Sequence, residues 1–389
     1  MPFQDVVATD IAVAPEAAWG VVPTAGYRRI NRTSWGVNLE RDVIRSNRIR
    51  FDRQRVFSRH GVERLRGTYE DELSLGGADV FLEALLCGTW TAAVSITGEA
   101  DVTALSGQRL ALVRGDASSW PGLAVGDRVS AEIDGNPYGE GTVTLVAAAN
   151  LQIRFDADPG ISTPLSGAPV VIASLGKTLQ NGVAKRSLTA QVAFADVSPA
   201  IYRIQRGLVV SDGSLTLNPG EVVTASFSLI GKTEDVQAAP VASSIAEAPD
   251  GDVLVAVDGV LRIDGVEVAA LTGLSLTIAA NTNNGRSVVG SRSIVNISRG
   301  TGDVTGTISA LLEDRRFIDA FRNEAEIDLV VRLRDRAGTG FLQIHLPRVK
   351  INGASMTVSG SEEVIVEAPF EALGAPGGYT VRVQTSAAL

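Results

Sequence analysis

Few side chains in this sequence could do covalent or acid–base chemistry, and their spacing limits what that chemistry could be. Two histidines, His60 and His345, and one cysteine, Cys87, are the whole supply of imidazole and thiol in 389 residues. Each histidine sits in strand-like text, far from any cysteine or paired acid at ligand spacing, and reads as a satisfied or exposed side chain. Cys87 lies in an apolar helical run and reads as a buried structural thiol, and one cysteine excludes an internal disulfide. Gly300-Thr301-Gly302 with Gly306 is glycine-rich but does not join a strand to a helix N-terminus, as a dinucleotide loop must. Asp250-Gly251-Asp252 lacks the rest of a calcium loop. Neither a P-loop nor a nucleophile elbow is present, and no carboxylate pair is singled out. The expectation is a protein that is not an enzyme and carries no cofactor and no metal.

Ion pairing is the chemistry that the sequence does concentrate. Seven arginines fall between Arg41 and Arg59 in a chain whose net charge is −9. Arg45, Arg48, Arg50 and Arg53 alternate with Ile49, Phe51 and Val56, which predicts a long hairpin with one strongly positive face. Such a face either solvates and protects an edge strand or docks onto an acidic partner, including another copy of this chain. Docking is favoured, because a dense single-sign field is unfavourable when left unpaired. Nucleic acid is the weaker alternative, since no aromatic is spaced for base stacking. Trp19, in Glu16-Ala17-Ala18-Trp19-Gly20, is the second contact candidate; it either anchors on a neighbouring subunit or packs on its own domain.

The elements that must position these residues are strands. Apolar residues make up 45% and glycine numbers 40, enough for cores joined by many turns, and the length implies two or three domains. The acidic balance gives no global push toward nucleic acid or anionic membrane. No run is long and apolar enough to span a bilayer, and Met1–Asp5 has no basic region followed by an apolar one, so synthesis in the cytoplasm is expected.

Two stretches say nearly the same thing. Arg59–Tyr69 reads as a strand ending in Gly67-Thr68 and leads into the amphipathic helix around Val80-Phe81-Leu82-Glu83-Ala84-Leu85. Arg299–Ile308 contains Gly306-Thr307 and leads into Phe317-Ile318-Asp319-Ala320-Phe321, with Phe317, Ile318 and Phe321 expected inward. The spacing from Gly67 to Gly306 nearly equals that from Phe81 to Phe317, as a duplication would leave it. A closing strand pair repeats too: Leu215–Gly220 with Glu221–Gly231, and Met356–Gly360 with Glu363–Gly374. The hairpin strand Leu271–Ile278 and the loop Asn281–Arg286 answer the basic hairpin. That second loop is neutral and asparagine-rich, with Asn283, Asn284 and Arg286 as contact candidates.

Between them the text changes to short strands and tight turns, such as Leu110–Val113, the Asp134-Gly135-Asn136 turn, Gly141–Val146 and Leu151–Phe155. This predicts a small inserted barrel or sandwich. Trp90 is expected to lid the core of the first helix. The predicted organisation is an N-terminal arm over 1–26 and a discontinuous first domain over 27–93 and 175–233. An inserted barrel over 94–174, a linker over 234–252 and a second domain over 253–389 complete it.

At these residues the chain resembles the major tail tube proteins of long-tailed, siphovirus-like bacteriophages. The likeness rests on Glu16–Gly20, the Ser46–Gln54 hairpin, Gly67-Thr68 leading into Leu82–Leu85, and Gly220–Lys232. In the second half it rests on Val289-Gly290-Ser291, Thr305-Gly306-Thr307 and Leu346-Pro347-Arg348-Val349. These motifs are structural, cover most of the chain outside the insert, and include no catalytic signature. The resemblance implies a mainly β fold: two homologous sandwich or half-barrel domains, each flanked by one helix, with the insert on the outer surface. It implies self-association into stacked rings, three chains to a pseudo-six-fold ring, around a lumen that passes DNA without sequence-specific binding. Tail terminator, tape measure and distal tail proteins are the other implied partners, with no membrane involved. It places the protein in the virion tail, after assembly in the host cytoplasm. Edge strands closing against one another in a ring, and an acidic lumen that lets phosphate slide, agree with that picture. The alternative is a carbohydrate- or receptor-binding β-rich adhesin with the barrel as binding module; a β-glycosidase is a distant third.

Overall fold

Among the described residues the regular structure is mostly β-strand, with two short α-helices, Asp79–Leu86 and Arg316–Arg322. The computed structural model describes residues 3–116, 119–161, 163–356, 363–375 and 378–387. Most of the expected closing strand Met356–Gly360 lies outside the described residues. Backbone contacts divide the chain into two compact units. One comprises the residues up to Gly88 with Gly182–Ala256 and Thr272–Ser309; the other comprises Thr89–Asn181, Val257–Leu271 and the residues from Ala310 onward.

The first unit is organised on the strand Ile201–Leu217. Its first half pairs antiparallel with Leu188–Phe194 on one edge and Thr233–Gln237 on the other. Its second half pairs with Thr224–Gly231 and with Leu271–Ala279. The switch between sheets falls at Gly207, whose φ of 70° lies in the left-handed region. A Cβ there would sit 2.8 Å from Lys232 Cβ and 3.0 Å from Trp19 Nε1, so the bend requires glycine. The freed backbone groups at this bend are taken up by the N-terminal segment. Gly207 N donates to Glu16 Oε1 at 2.7 Å, and Trp19 Nε1 donates to Gly207 O at 3.0 Å. The stretch expected to be an arm therefore contains a core strand. Thr9–Pro15 buries Ile11, Ala12, Val13 and Ala14 and pairs along its length with Leu188–Phe194. The stretch expected to be a linker also carries strands, Thr233–Gln237 and Ile245–Ala246, the latter parallel to Tyr27–Arg29.

The first helix buries Phe81, Ala84 and Leu85, the stripe expected from their spacing. Phe81 stacks on Tyr69 with ring centroids 4.3 Å apart and on Phe227 at 5.5 Å. Tyr69 belongs to the long strand Ser58–Glu72, in which Gly67 is also fixed by packing. A Cβ on Gly67 would fall 2.2 Å from the carbonyl oxygen of Gly36 and 2.6 Å from Val37 Cα. The helix ends at Cys87, half-buried in left-handed backbone with φ 52°. Its last carbonyls need donors, and Arg299 supplies them. One guanidinium donates to Leu85 O at 2.9 Å, Ala84 O at 2.8 Å and Val210 O at 3.0 Å. Burial pulls the Arg299 pKa below its ordinary value. A residue 214 positions away from Leu85 in sequence thus closes this helix.

The second unit contains a closed six-stranded barrel made of Ser95–Leu105, Arg109–Val113, Arg128–Ile133, Asn136–Ala147, Asn150–Phe155 and Leu165–Ser174. Alternate residues point inward: Val102, Leu110, Leu112, Val129, Ile133, Leu151, Ile153 and Ile172 fill it. The Asp134-Gly135 turn has positive φ at both residues, the geometry that joins tightly twisted strands. The chain enters and leaves the barrel side by side, since Thr91 and Thr178 exchange both backbone hydrogen bonds at 2.8 and 2.9 Å. An insertion with adjacent ends adds little closure entropy. Trp90, expected to lid the first helix, belongs to this unit and lies under Lys177 Nζ, 5.0 Å from its ring centroid.

The rest of the second unit is a sheet in which Glu326–Arg334 lies between Gly259–Ile263 and Phe341–Ile351. The strand Arg382–Thr385 then lies between Phe341–Ile351 and Lys177–Gln180. The second helix buries Phe317 and Ala320, whereas Phe321, expected inward, is 44% exposed. With only two turns, the buried stripe runs through the i, i+3 pair, and Phe321 lies beside it.

Replacing Arg299 with Met keeps most of its volume but removes the donor shared by Leu85 O, Ala84 O and Val210 O. The Arg299→Met variant is expected to unfold about 1–3 kcal/mol more easily, the usual penalty for orphaned buried polar groups. Urea denaturation followed by tryptophan fluorescence measures this; an unchanged midpoint would show that water caps the helix equally well.

Candidate assembly surface

The basic segment is a hairpin, but not the continuous one that its alternation predicts. Asn38–Arg45 pairs antiparallel with Ser58–Glu72, starting from Arg45 opposite Ser58. From Ser46 to Phe57 the chain is a loop in which every residue but Ser46 is exposed. Ile49 and Phe51 are 96% and 105% exposed, so they have no apolar surface in this chain on which to zip a strand. The positive face dissolves at that point into a protruding tip, turned at Arg53 with φ 55°.

Charge pairing grades along the hairpin. Near its base Arg41 pairs with Glu63 at 3.0 Å and Arg64 with Asp42 at 2.7 Å. At the tip Arg50 pairs with Asp52 at 2.6 Å, a bond that raises the Arg50 pKa and lowers that of Asp52. Among the described residues no acid pairs with Arg45, Arg48 or Arg53. An exposed tip that mixes arginine with Ile49, Phe51 and Phe57 has the composition of a protein–protein contact. The strand Asn38–Arg45 itself is paired on one edge only among the described residues, and most of it is exposed.

The loop Asn281–Arg286 is ordered by its own asparagines. Asn283 Oδ1 accepts from Gly285 N at 3.2 Å and Ser298 N at 3.1 Å. Arg286 is bridged through its backbone to Asn296, while its side chain and Asn284 face outward and Val289 is fully exposed. The two hairpins approach each other at one point, where Glu63 of the first bridges to Ser293 of the second. Trp19 is half-buried at the Gly207 bend under Lys232 Nζ, 5.0 Å from its ring centroid, and packs against the cluster of Val209, Ile230, Ile294 and Ile297. The structure therefore brings the arginine tip and the asparagine loop onto one unit, while Trp19 serves that unit's own fold.

The remaining chemistry-bearing residues are held in structural roles. His60 is exposed on Ser58–Glu72. His345 is buried between Tyr379 Oη at 2.9 Å and Asp328 Oδ1 at 3.0 Å. Among the described residues no group of three His, Cys, Asp or Glu side chains is arranged to hold a metal ion. No helix among them is long and apolar enough to cross a membrane. Sequence reading missed Glu16, whose two carboxylate oxygens collect Gly20 N, Ser187 Oγ, Thr189 Oγ1 and Gly207 N. Its only signal was membership of the Glu16–Gly20 segment.

A scan of known protein families matches residues 8–372 to phage tail tube proteins. The chain belongs to that family. It is a structural protein of the phage tail, and the mainly β fold with its closed barrel is consistent with a β-rich tube. Comparison with individual curated proteins gives no match. For a tail tube protein, an open strand edge and an unpaired basic tip are features to examine as assembly contacts.

Exchanging Arg45, Arg48, Arg50 and Arg53 for Glu alters only exposed side chains. Each change should shift folding stability by no more than about 0.5 kcal/mol. The reversed variant is expected to stay folded by circular dichroism yet to sediment as free subunits under conditions where the wild type assembles. Wild-type assembly by the variant would reduce the basic tip to a solvated loop.

Proposed function

We propose that this chain is the tube-forming subunit of a long, siphovirus-like tail, with two tube domains per chain and three chains closing a pseudo-six-fold ring. Stacked rings would enclose a lumen that conducts DNA without sequence-specific contacts. The observation that carries this reading is the pairing of Asp212–Leu217, from the first repeat, with Leu274–Ala279, from the second. One repeat thereby extends the sheet of the other within a single chain. By the duplication, Asn38–Arg45 is the counterpart of the receiving strand Leu271–Ala279, and Met356–Gly360 is the counterpart of Leu215–Gly220. Repeating the within-chain pairing between chains would set the second repeat of one copy against the open edge of Asn38–Arg45 in the next. Three such junctions between chains and three within them close a ring, which removes the exposed edges.

In this reading the domain boundaries follow the repeats, 27–93 with 175–233 and then 253–389, and the barrel over 94–174 decorates the outside. Residues 272–309 group with the first unit because their hairpin is zipped onto its sheet. The arginine tip, with Asn283, Asn284 and Arg286 on the neighbouring loop, forms contacts to acidic surfaces of adjacent copies. A tail terminator and a distal tail protein at the two ends, and a tape measure protein in the lumen, are the partners such a tube requires. Assembly takes place in the host cytoplasm, and function resides in polymerisation rather than turnover.

Negative-stain electron microscopy of the purified protein is expected to show rings or tubes with an open channel, and native mass spectrometry three copies per ring. Six copies per ring would refute the pseudo-six-fold arrangement. Persistent monomers would sink the tube reading altogether.

A further inference from the structure

In the second unit four guanidinium groups converge on one carboxylate. Asp156 Oδ2 receives Arg128 at 2.8 Å, with Arg332 at 3.7 Å and Arg334 at 3.9 Å, and its Oδ1 lies 3.6 Å from Arg262. Two of these arginines also reach other acids: Arg128 pairs with Glu140 at 2.6 Å, and Arg262 lies 4.0 Å from Glu267. Arg332 and Arg334 share Asp156 and, among the described residues, have no carboxylate of their own.

Arg332 is the anomaly. Its side chain is 2% exposed, and none of its three nitrogens makes a hydrogen bond to the protein. Nη1 of Arg128, equally buried, is also without an acceptor. A guanidinium carries five N–H donors, and leaving them unpaired in a buried site is among the most unfavourable arrangements a fold can hold. The strand context gives no packing reason for it, because Arg332 lies within the Val330-Val331-Arg332-Leu333 run, buried throughout. Burial, with the charges of Arg128 and Arg262, pulls the Arg332 pKa down to about 9, and Asp156 opposes this only partly. Asp156 itself is pushed up by burial, yet Arg128, Arg332 and Arg262 bring it below its ordinary value. The cluster therefore has a surplus of buried positive charge and of donors, and a shortage of acceptors.

We propose that this cluster is a binding site for a small oxyanion of the phosphate class, held by Arg332, Arg128 and Arg334. Planar guanidinium forks match tetrahedral oxyanions bidentately, and such charge-assisted bonds are the strong ones. Arg334 is 41% exposed and Glu140 57%, so the cluster reaches solvent on that side. A free ion can enter there, whereas the backbone of a nucleic acid cannot reach a residue buried as deeply as Arg332. Within this unit the barrel supplies Arg128 and Asp156, and the sheet supplies Arg262, Arg332 and Arg334. A bound anion would tie the barrel to the sheet.

The test uses the full-length protein dialysed into sodium chloride or sodium phosphate at matched pH and ionic strength, with thermal unfolding and calorimetric titration of inorganic phosphate. Phosphate is expected to raise the unfolding temperature of the wild type. The Arg332→Met variant should be at least as stable as the wild type in chloride, because an unpaired buried charge is gone, and should lose the phosphate response. Arg334→Gln, at the exposed edge, should retain the fold and weaken phosphate binding about tenfold, which is 1.4 kcal/mol; it decides the matter if Arg332→Met does not fold. A wild type indifferent to phosphate would overturn the proposal and leave Arg332 satisfied by water and the free amide oxygen of Gln343 opposite it. An equal phosphate response in wild type and Arg334→Gln would overturn it too.

Discussion

A strand that lies between neighbours on both edges must find a partner for nearly every amide it carries. Ile201–Leu217 meets this demand by changing partners halfway. Its first half belongs to the sheet with Leu188–Phe194 and Thr233–Gln237, its second to the sheet with Thr224–Gly231 and Leu271–Ala279. The bend between the halves falls at Gly207, and the groups it leaves open are closed by Glu16 and Trp19. The N-terminal strand, the first helix and the second repeat's hairpin all depend on where that bend is placed. Arg299 then connects the end of the helix to Val210, three residues past the bend, so the same region sets the helix against the sheet.

The second unit answers a different constraint. A closed barrel has no free edge through which to join its host, so side chains and short bridges make the attachment. Asp127, 1% exposed, pairs with Arg382 at 2.6 Å, and Gln384 exchanges hydrogen bonds with the backbone of Arg128 at 2.6 and 3.0 Å. The side chain of Gln343 donates to the carbonyl of Gly126, and Tyr379 donates to that of Val125 at 2.6 Å. Buried polar pairs of this kind add little net stability over apolar packing, but they penalise every misaligned docking. The barrel lies within residues 95–174, yet the strand that fixes it is Arg382–Thr385. The attachment is therefore long-range in sequence, with bonds that span 255 and 256 positions.

Much of this was legible in the sequence because it is local. The Phe81, Ala84, Leu85 stripe gave the first helix, and Asp134-Gly135 and the alternating apolar rows gave the barrel. What escaped was decided by tertiary partners. Thr9–Pro15 has no sustained period because Ile11, Ala12, Val13 and Ala14 are buried on both faces, which erases the alternation that marks a strand. Thr233–Gln237 reads as linker because its pairing comes from Tyr202–Arg206, while Val236 on its outer side is 65% exposed. In the basic hairpin the alternation was present but had no surface to pack upon, so Ser46–Phe57 stayed a loop. Arg332 could not be singled out, since strand text does not tell a buried arginine from an edge arginine. Composition singled out Arg45, Arg48, Arg50 and Arg53, and the structure leaves all four exposed. Composition could not tell that Trp19 would be spent on the Gly207 bend.

The contrast between the two hairpin loops bears on how copies of such a chain can meet. The asparagine loop satisfies itself: Asn283 holds Gly285 and Ser298, and Arg286 is bridged to Asn296. The arginine loop satisfies only one of its pairs, Arg50 with Asp52, and leaves Ile49 and Phe51 in solvent. A self-satisfied loop gains little from a partner, whereas an unsatisfied one gains burial and charge pairing together. Of the two hairpin loops, only the arginine loop leaves charges and apolar side chains without partners in this chain. In a ring of the proposed kind, strong and weak contacts would then alternate, and the alternation itself would specify that the first repeat of one chain meets the second repeat of another. Two identical hairpins would allow a chain to join in either of two registers. In such a ring, the chemical difference between Arg48 and Asn283 would supply the directionality that two like loops would lack.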